Sequence, residues 1–200
     1  TSERIVQENN LEVNPQKLAL QWRSNQRKII TNNRFISYKR TIKLALNETC
    51  KQYKIRNKNY ELEIFKNWKD IKSYSDSKRV LNKIKESYKL AICTNSAADL
   101  FKICISKIHI KFDKIIISDA IKTNKPHKEI YKRMIQSLQI PIDNILHIAS
   151  SQMDIQGATK AGLKVCWINR LNEKLNDLTP KTLFEISNLN ELENILQPNI

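Results

Sequence analysis

Glycine is almost missing from this chain: Gly157 and Gly162 are the only two among 200 residues. A phosphate-cradling loop or a dinucleotide fingerprint needs several glycines where backbone must approach the ligand, so both are excluded. Cysteine is sparse as well. Cys50, Cys93, Cys104 and Cys166 form no CxxC pair, and no histidine or second cysteine stands at ligand spacing, so no metal site is expected. Cys93 and Cys166 fall inside apolar runs and read as buried thiols in a reducing compartment. No apolar run approaches the roughly 20 residues that cross a bilayer. The first ten residues lack the pattern of a secretory signal. Acidic residues are also in short supply, 20 against 35 Lys plus Arg, leaving a net charge of +15. Two readings of that excess stay open: steering toward phosphate backbone, anionic membrane or an acidic partner, or a lysine-rich solvated surface. The charge is spread in ones and twos, with no Arg-rich tract or zinc-finger spacing to sharpen a nucleic-acid case.

What is present suits one domain, or a core with a modest insertion, with 40% hydrophobic residues to bury. The first 87 residues read as helical. Asn14-Pro15 opens a helix over 14–30, with Asn14 as cap and Pro15 in the first turn. Further helices are expected over 38–53, 60–68 and 76–88. From residue 89 the rhythm changes to strands at 89–93, 114–118, 145–150, 164–169 and 182–186. Helices at 96–105, 126–138, 154–161 and 189–196 follow or separate them. Such alternation signals a parallel sheet with helical crossovers. The expected architecture is α/β: a segment 1–13, a helical cap subdomain 14–75, and a three-layer open parallel sheet, Rossmann-like, over 76–200.

Four strands end in small polar or charged residues, the place where open parallel sheets carry their sites. Thr94 and Asn95 can donate to an anion beside a helix start, while Ser96 and Asp99 fit a capping box. Lys125, before Pro126 at the expected first turn of a helix, either aims an ammonium at the same crevice or is one surface lysine among many. Ser151 and Asp154 again fit a capping box, and Asp154 could instead be an inward carboxylate holding Lys125. Met153 reads as core packing or as a substrate contact. Arg23, after Trp22, reaches over a pocket between the subdomains or is a solvated helix arginine.

Together these residues resemble the haloacid dehalogenase superfamily, specifically its L-2-haloacid dehalogenase branch. TNS (94–96) is similar to the second motif, and KPHKEIY (125–131) to the third. HIASSQMDIQGATKAGLKVCWINR (147–170) resembles the fourth with its following helix and strand. The WR pair at 22–23 and NRFISYKRTIKLAL (33–46) resemble the cap. The resemblance implies metal-independent, cofactor-free hydrolysis of small anionic 2-halocarboxylates. In that chemistry an aspartate on the first strand displaces halide, and water cleaves the resulting ester. It implies that Arg23 assists halide departure and that Thr94 and Asn95 sit beside the substrate carboxylate. It further implies that Lys125, Tyr131 and Asp154 form a polar network around the nucleophile and that Tyr38 is a wall residue. Departures are Ala149 where a hydroxyl is frequent, Ser151 where an asparagine often activates water, and Arg27 and Met153 where a leucine and a large aromatic line the pocket.

The resemblance also implies a first strand, ending in the nucleophilic Asp, between the strands that end at Thr94 and Ser150. These 200 residues contain no match for it, and Asp99, Asp113, Asp119 and Asp143 are poor substitutes. Strands stand about 4.8 Å apart, so the sheet should show a gap near 10 Å. Upstream residues, a polypeptide segment from another chain, or Ile5-Val6 would have to fill it. From the missing nucleophile, the altered pocket and the charge, the sequence points to a catalytically inactive protein. Its expected place is as a structural subunit of a large basic assembly, a mitochondrial or other organellar ribosome, with protein subunits and RNA as partners. The alternative is a metal-independent, L-2-haloacid dehalogenase-type hydrolase, in the organelle or cytoplasm, whose nucleophilic Asp lies upstream of Thr1.

Overall fold

The computed structural model describes residues 1–32, 35–56 and 58–196; Asn33 and Arg34 of the cap resemblance lie outside them. Five helices come first: α1 (Ser2–Glu8), α2 (Pro15–Asn32), α3 (Tyr38–Gln52), α4 (Tyr60–Asn67) and α5 (Ser75–Lys85). Asn14 does cap α2, its Oδ1 accepting from Gln16 N at 2.7 Å. Ile5, Leu18, Leu46, Cys50, Ile55 and Tyr60 form one apolar cluster among these helices. Ile5 and Val6 are therefore helical, and Ile5 is buried in that cluster, which corrects the expectation that they could be recruited as a strand.

The remainder alternates as expected: β1 (Ala91–Thr94), α6 (Ala98–Ile105), β2 (Lys114–Ile117), α7 (Ser118–Ile121), α8 (Lys128–Leu138), β3 (Leu146–Ala149), α9 (Gln152–Lys160), β4 (Lys164–Ile168), β5 (Phe184–Ile186) and α10 (Leu192–Ile195). All pairings are parallel. On one face of the sheet Ile130 and Tyr131 of α8 and Ile155 and Ala158 of α9 pack on Ala149, Val165 and Trp167. On the other, Val80 and Ile84 of α5 and Leu192 of α10 pack on Cys166 and Ile186. Val165 and Trp167 face one layer and Cys166 the other, the alternation that a strand buried on both sides must show.

The sheet is split. β1 pairs with β2, and β3-β4-β5 form a second ladder; among the described residues no ladder joins β1 to β3. Between them lies a cavity of about 380 Å³ lined by Leu90–Cys93 on one side and Leu146–Ile148 on the other, roofed by Met134 and Leu138. Burial records the same seam: β4 holds three buried residues, whereas all of β1 and most of β3 are only half-buried. This is the slot that the sequence predicts.

Both glycines are required. Gly162, at φ +89°, ends α9 in a left-handed turn that lets Leu163 N reach Ala158 O at 3.1 Å. Gly157 lets α9 approach α8, as an added Cβ would lie 2.6 Å from the Tyr131 hydroxyl and 2.7 Å from the Pro126 carbonyl.

Candidate active site

The helical layer is fastened over the strand tips. The Tyr38 N–H donates to Asp119 Oδ1 at 2.8 Å, Asn124 Nδ2 donates to the Ile36 carbonyl at 2.9 Å, and Lys39 pairs with Asp99. Asp99 is thus engaged with α3 rather than in a capping box. The residue flanking α6 is Ala97, with no side-chain cap, and Ser96 is instead buried, its N–H donating to Ser118 Oγ. That expectation fails because α6 begins at Ala98, one residue later than the capping-box spacing requires.

At the second tip the backbone departs from expectation too. The Lys125-Pro126 peptide is cis, and α8 begins at Lys128 after His127, so Pro126 is not its first residue. Asn95 holds this turn, its Oδ1 accepting from Lys125 N at 2.7 Å and its Nδ2 donating to Lys125 O at 3.0 Å. Its amide is therefore a clamp on the lysine backbone.

The clamp aims Lys125 at Asp154. Their charged atoms are 2.7 Å apart and both are largely buried. Asp154 Oδ1 also accepts from the Tyr131 hydroxyl at 2.8 Å and lies 3.0 Å from His147 Nε2. An ionised carboxylate only accepts, so the imidazole presents Nε2–H to it. Burial by itself would raise the Asp154 carboxyl; the His147 hydrogen bond and the Lys125 charge outweigh it and hold the group well below the usual carboxylate range. Burial, then the Asp154 charge, push the Tyr131 hydroxyl far up, so it stays a donor. Burial likewise pushes the Cys93 thiol up to about 12, leaving a neutral side chain on the wall of the slot. Ser151 does cap α9, its Oγ accepting from Asp154 N at 3.3 Å, but the Asp154 carboxylate faces the network instead of closing a capping box.

Lys125 borders two cavities, the slot and a cleft of about 730 Å³ between α2 and the strand tips. The cleft brings together Arg23, Arg27, Lys125, Ser151, Met153 and Asp154 from the expected site. Arg23 also borders a separate cavity of about 460 Å³ inside the helical layer, and Tyr38 lines that cavity, not the cleft, its ring edge-on to Trp68 at 6.0 Å. Thr94 ends β1, paired with Ile117, outside the cleft lining. Tyr131 lines the slot, sits edge-on to His147 at 5.5 Å and reaches Asp154 with its hydroxyl.

Three contributors went unread in the sequence: His147, on Asp154, and Gln26 and Arg170, which line the cleft. His147 was legible in principle, since β-strand alternation puts it on the same face as Ala149, toward α8. Arg170 pairs with Asp76 at 2.8 Å and lies 4.0 Å over the Tyr74 ring, partners 94 and 96 residues away that no local pattern announces. Among the described residues no group of three or more His, Cys, Asp and Glu is gathered as for a metal ion, and no helix is long and apolar enough to cross a membrane.

A family model of haloacid dehalogenase-like hydrolases matches residues 2–168. The chain is 26% identical over 167 residues to an (S)-2-haloacid dehalogenase of Pseudomonas putida, covering 82% of this chain and 75% of that protein. It is 24% identical over 190 residues to a second such enzyme from Pseudomonas sp. strain CBS-3, covering 90% and 82%. The fold is shared with an L-2-haloacid dehalogenase of Xanthobacter autotrophicus carrying covalently bound chloropropionic acid, at TM-score 0.81 and 17% identity over 100% of this chain and 94% of that one. This consistent likeness to working dehalogenases overturns the expectation of a catalytically inactive ribosomal subunit. The physical reason is visible in the site: Asp154 is a largely buried carboxylate that takes Lys125, Tyr131 and His147 together, a charged network beyond what packing a structural core requires. With its motifs assembled at the tips of a parallel sheet under a helical cap, the chain belongs to the haloacid dehalogenase-like hydrolases, on their L-2-haloacid dehalogenase branch.

Proposed function

We propose that this protein is a hydrolase of the L-2-haloacid dehalogenase type. It replaces the halogen of a short 2-halocarboxylate by hydroxyl, with a carboxylate nucleophile borne on a strand seated between β1 and β3. One observation carries the reading: Lys125, paired to Asp154 and braced by Asn95, stands where the slot opens into a cleft that also holds Arg23.

An aspartate at the C-terminal tip of a strand in that slot meets the Lys125 ammonium, which favours its ionised, nucleophilic form. Its oxygen bonds to C2 as the carbon–halogen bond breaks, and the halide leaves with the bonding pair toward Arg23. Water, entering past Ser151, then attacks the ester carbonyl. The carboxylate is regenerated, and the 2-hydroxy acid, the halide and one proton are released. Asp154, Tyr131 and His147 act by fixing Lys125, and Asn95 by fixing its backbone.

The test uses the full product of the gene and measures halide released from L-2-chloropropionate and L-2-chlorosuccinate. Turnover is expected with at least one of them. Lys125→Ala should reduce kcat by about a hundredfold or more, the scale of a charged group acting on the reacting atoms. Absence of halide release from every 2-halo acid offered would overturn the reading.

A further inference from the structure

Helix α2 carries Arg23 and Arg27 one turn apart, a spacing that puts both on one helix face, and both line the cleft. The other cations of that wall are matched. Lys125 has Asp154 at 2.7 Å, and Arg170 has Asp76 at 2.8 Å and the ring of Tyr74. Among the described residues no carboxylate lies within 4.0 Å of Arg23 or Arg27, and neither stacks on an aromatic ring. Glu173, the remaining carboxylate of the cleft, is exposed on the core side and pairs with neither. Like charges at this spacing repel, so the pair weakens the helix that bears it. An anion bridging the two guanidiniums reverses that repulsion and adds bidentate, charge-assisted hydrogen bonds.

A 2-haloalkanoate brings one carboxylate, and in the proposed chemistry Arg23 is occupied at the reacting end. Arg27 stands about 6 Å further along the helix axis, four residues at 1.5 Å each. That separation suits the second carboxylate of a four-carbon diacid. We infer that Arg27 is a specificity residue and that the substrates are 2-halodicarboxylates such as 2-chlorosuccinate, hydrolysed to the 2-hydroxydicarboxylate, halide and a proton. This inference rests on the dehalogenase reading and names the substrate class of the same site.

The experiment compares kcat/KM for L-2-chlorosuccinate and L-2-chloropropionate in the full gene product, its Arg27→Leu variant and its Arg27→Lys variant. Wild type should prefer chlorosuccinate by about tenfold or more, the effect of one charge-assisted pair. Arg27→Leu should cut that ratio by about tenfold, mainly through KM, and Arg27→Lys should restore part of it. A wild-type preference for chloropropionate, or an unchanged ratio in Arg27→Leu, overturns the inference while leaving the dehalogenase reading intact. If neither compound releases halide, that reading fails and calorimetric binding decides the inference by itself. Succinate bound about tenfold more weakly by Arg27→Leu than by wild type, with propionate indifferent, upholds the second-carboxylate site; equal succinate binding overturns it.

Discussion

At Gly157 one added carbon would fall 2.6 Å from the Tyr131 hydroxyl and 2.7 Å from the Pro126 carbonyl. Helix propensity by itself favours alanine there by about 1 kcal/mol. The collision involves backbone and a fully buried ring, neither of which yields cheaply, and overpacking of that kind costs about 1–3 kcal/mol. Gly157→Ala should therefore lower the melting temperature and, by moving Tyr131 off Asp154, lower halide release as well. A variant as stable and active as wild type would show that α8 and α9 can part freely. Asp154 offers a second single-residue measurement. Its folded-state pKa lies below the unfolded value of about 3.9, so its contribution is present above that value and is lost as pH falls. The stability gap between wild type and Asp154→Asn should be level near neutrality. It should then shrink by up to about 1.4 kcal/mol per pH unit below roughly pH 4, measured by denaturant unfolding. A gap that widens toward acid would contradict the Lys125–Asp154–His147 arrangement.

Between elements, the decisive feature is the seam of about 380 Å³ that separates β1 from β3. Seating a strand of about five residues there would add roughly five net hydrogen bonds, each worth about 1 kcal/mol, besides covering the half-buried flanks. In the full gene product the amides of 91–94 and 146–149 should resist hydrogen exchange. A version beginning at Thr1 should exchange them quickly and melt at lower temperature. Equal protection in both would mean that no strand sits in the seam. The element sequence was largely legible because it rests on local signals: apolar runs of four or five residues, helical periodicity, and Asn14-Pro15 at the start of α2. Helix starts were misplaced where tertiary contact set them. Ser96 is drawn to Ser118, so α6 starts late, and Asn95 clamps the Lys125 backbone in a turn, so α8 starts only at Lys128. The short helices α1 and α7 carry too few residues for periodicity to register.

Across the whole molecule the polar network of the site could be assembled from sequence because its members sit at strand tips, where chain order and spatial order coincide. Lys125, Tyr131 and Asp154 do converge, whereas Tyr38 lines a neighbouring cavity because α3 turns its first residue toward Trp68. The net charge of +15 misled the functional reading. A global total says nothing about which cations are matched, and the informative pair, Arg23 with Arg27, is hidden inside it. The split ladder also has a consequence for assembly. Ala91 registers with Lys114, Leu146 with Lys164 and Cys166 with Phe184, each pairing closing only a short loop. Short loops form early and cheaply. Each half can thus zip up alone, and a strand seated in the seam would dock last, as a keystone between two abutments that already stand.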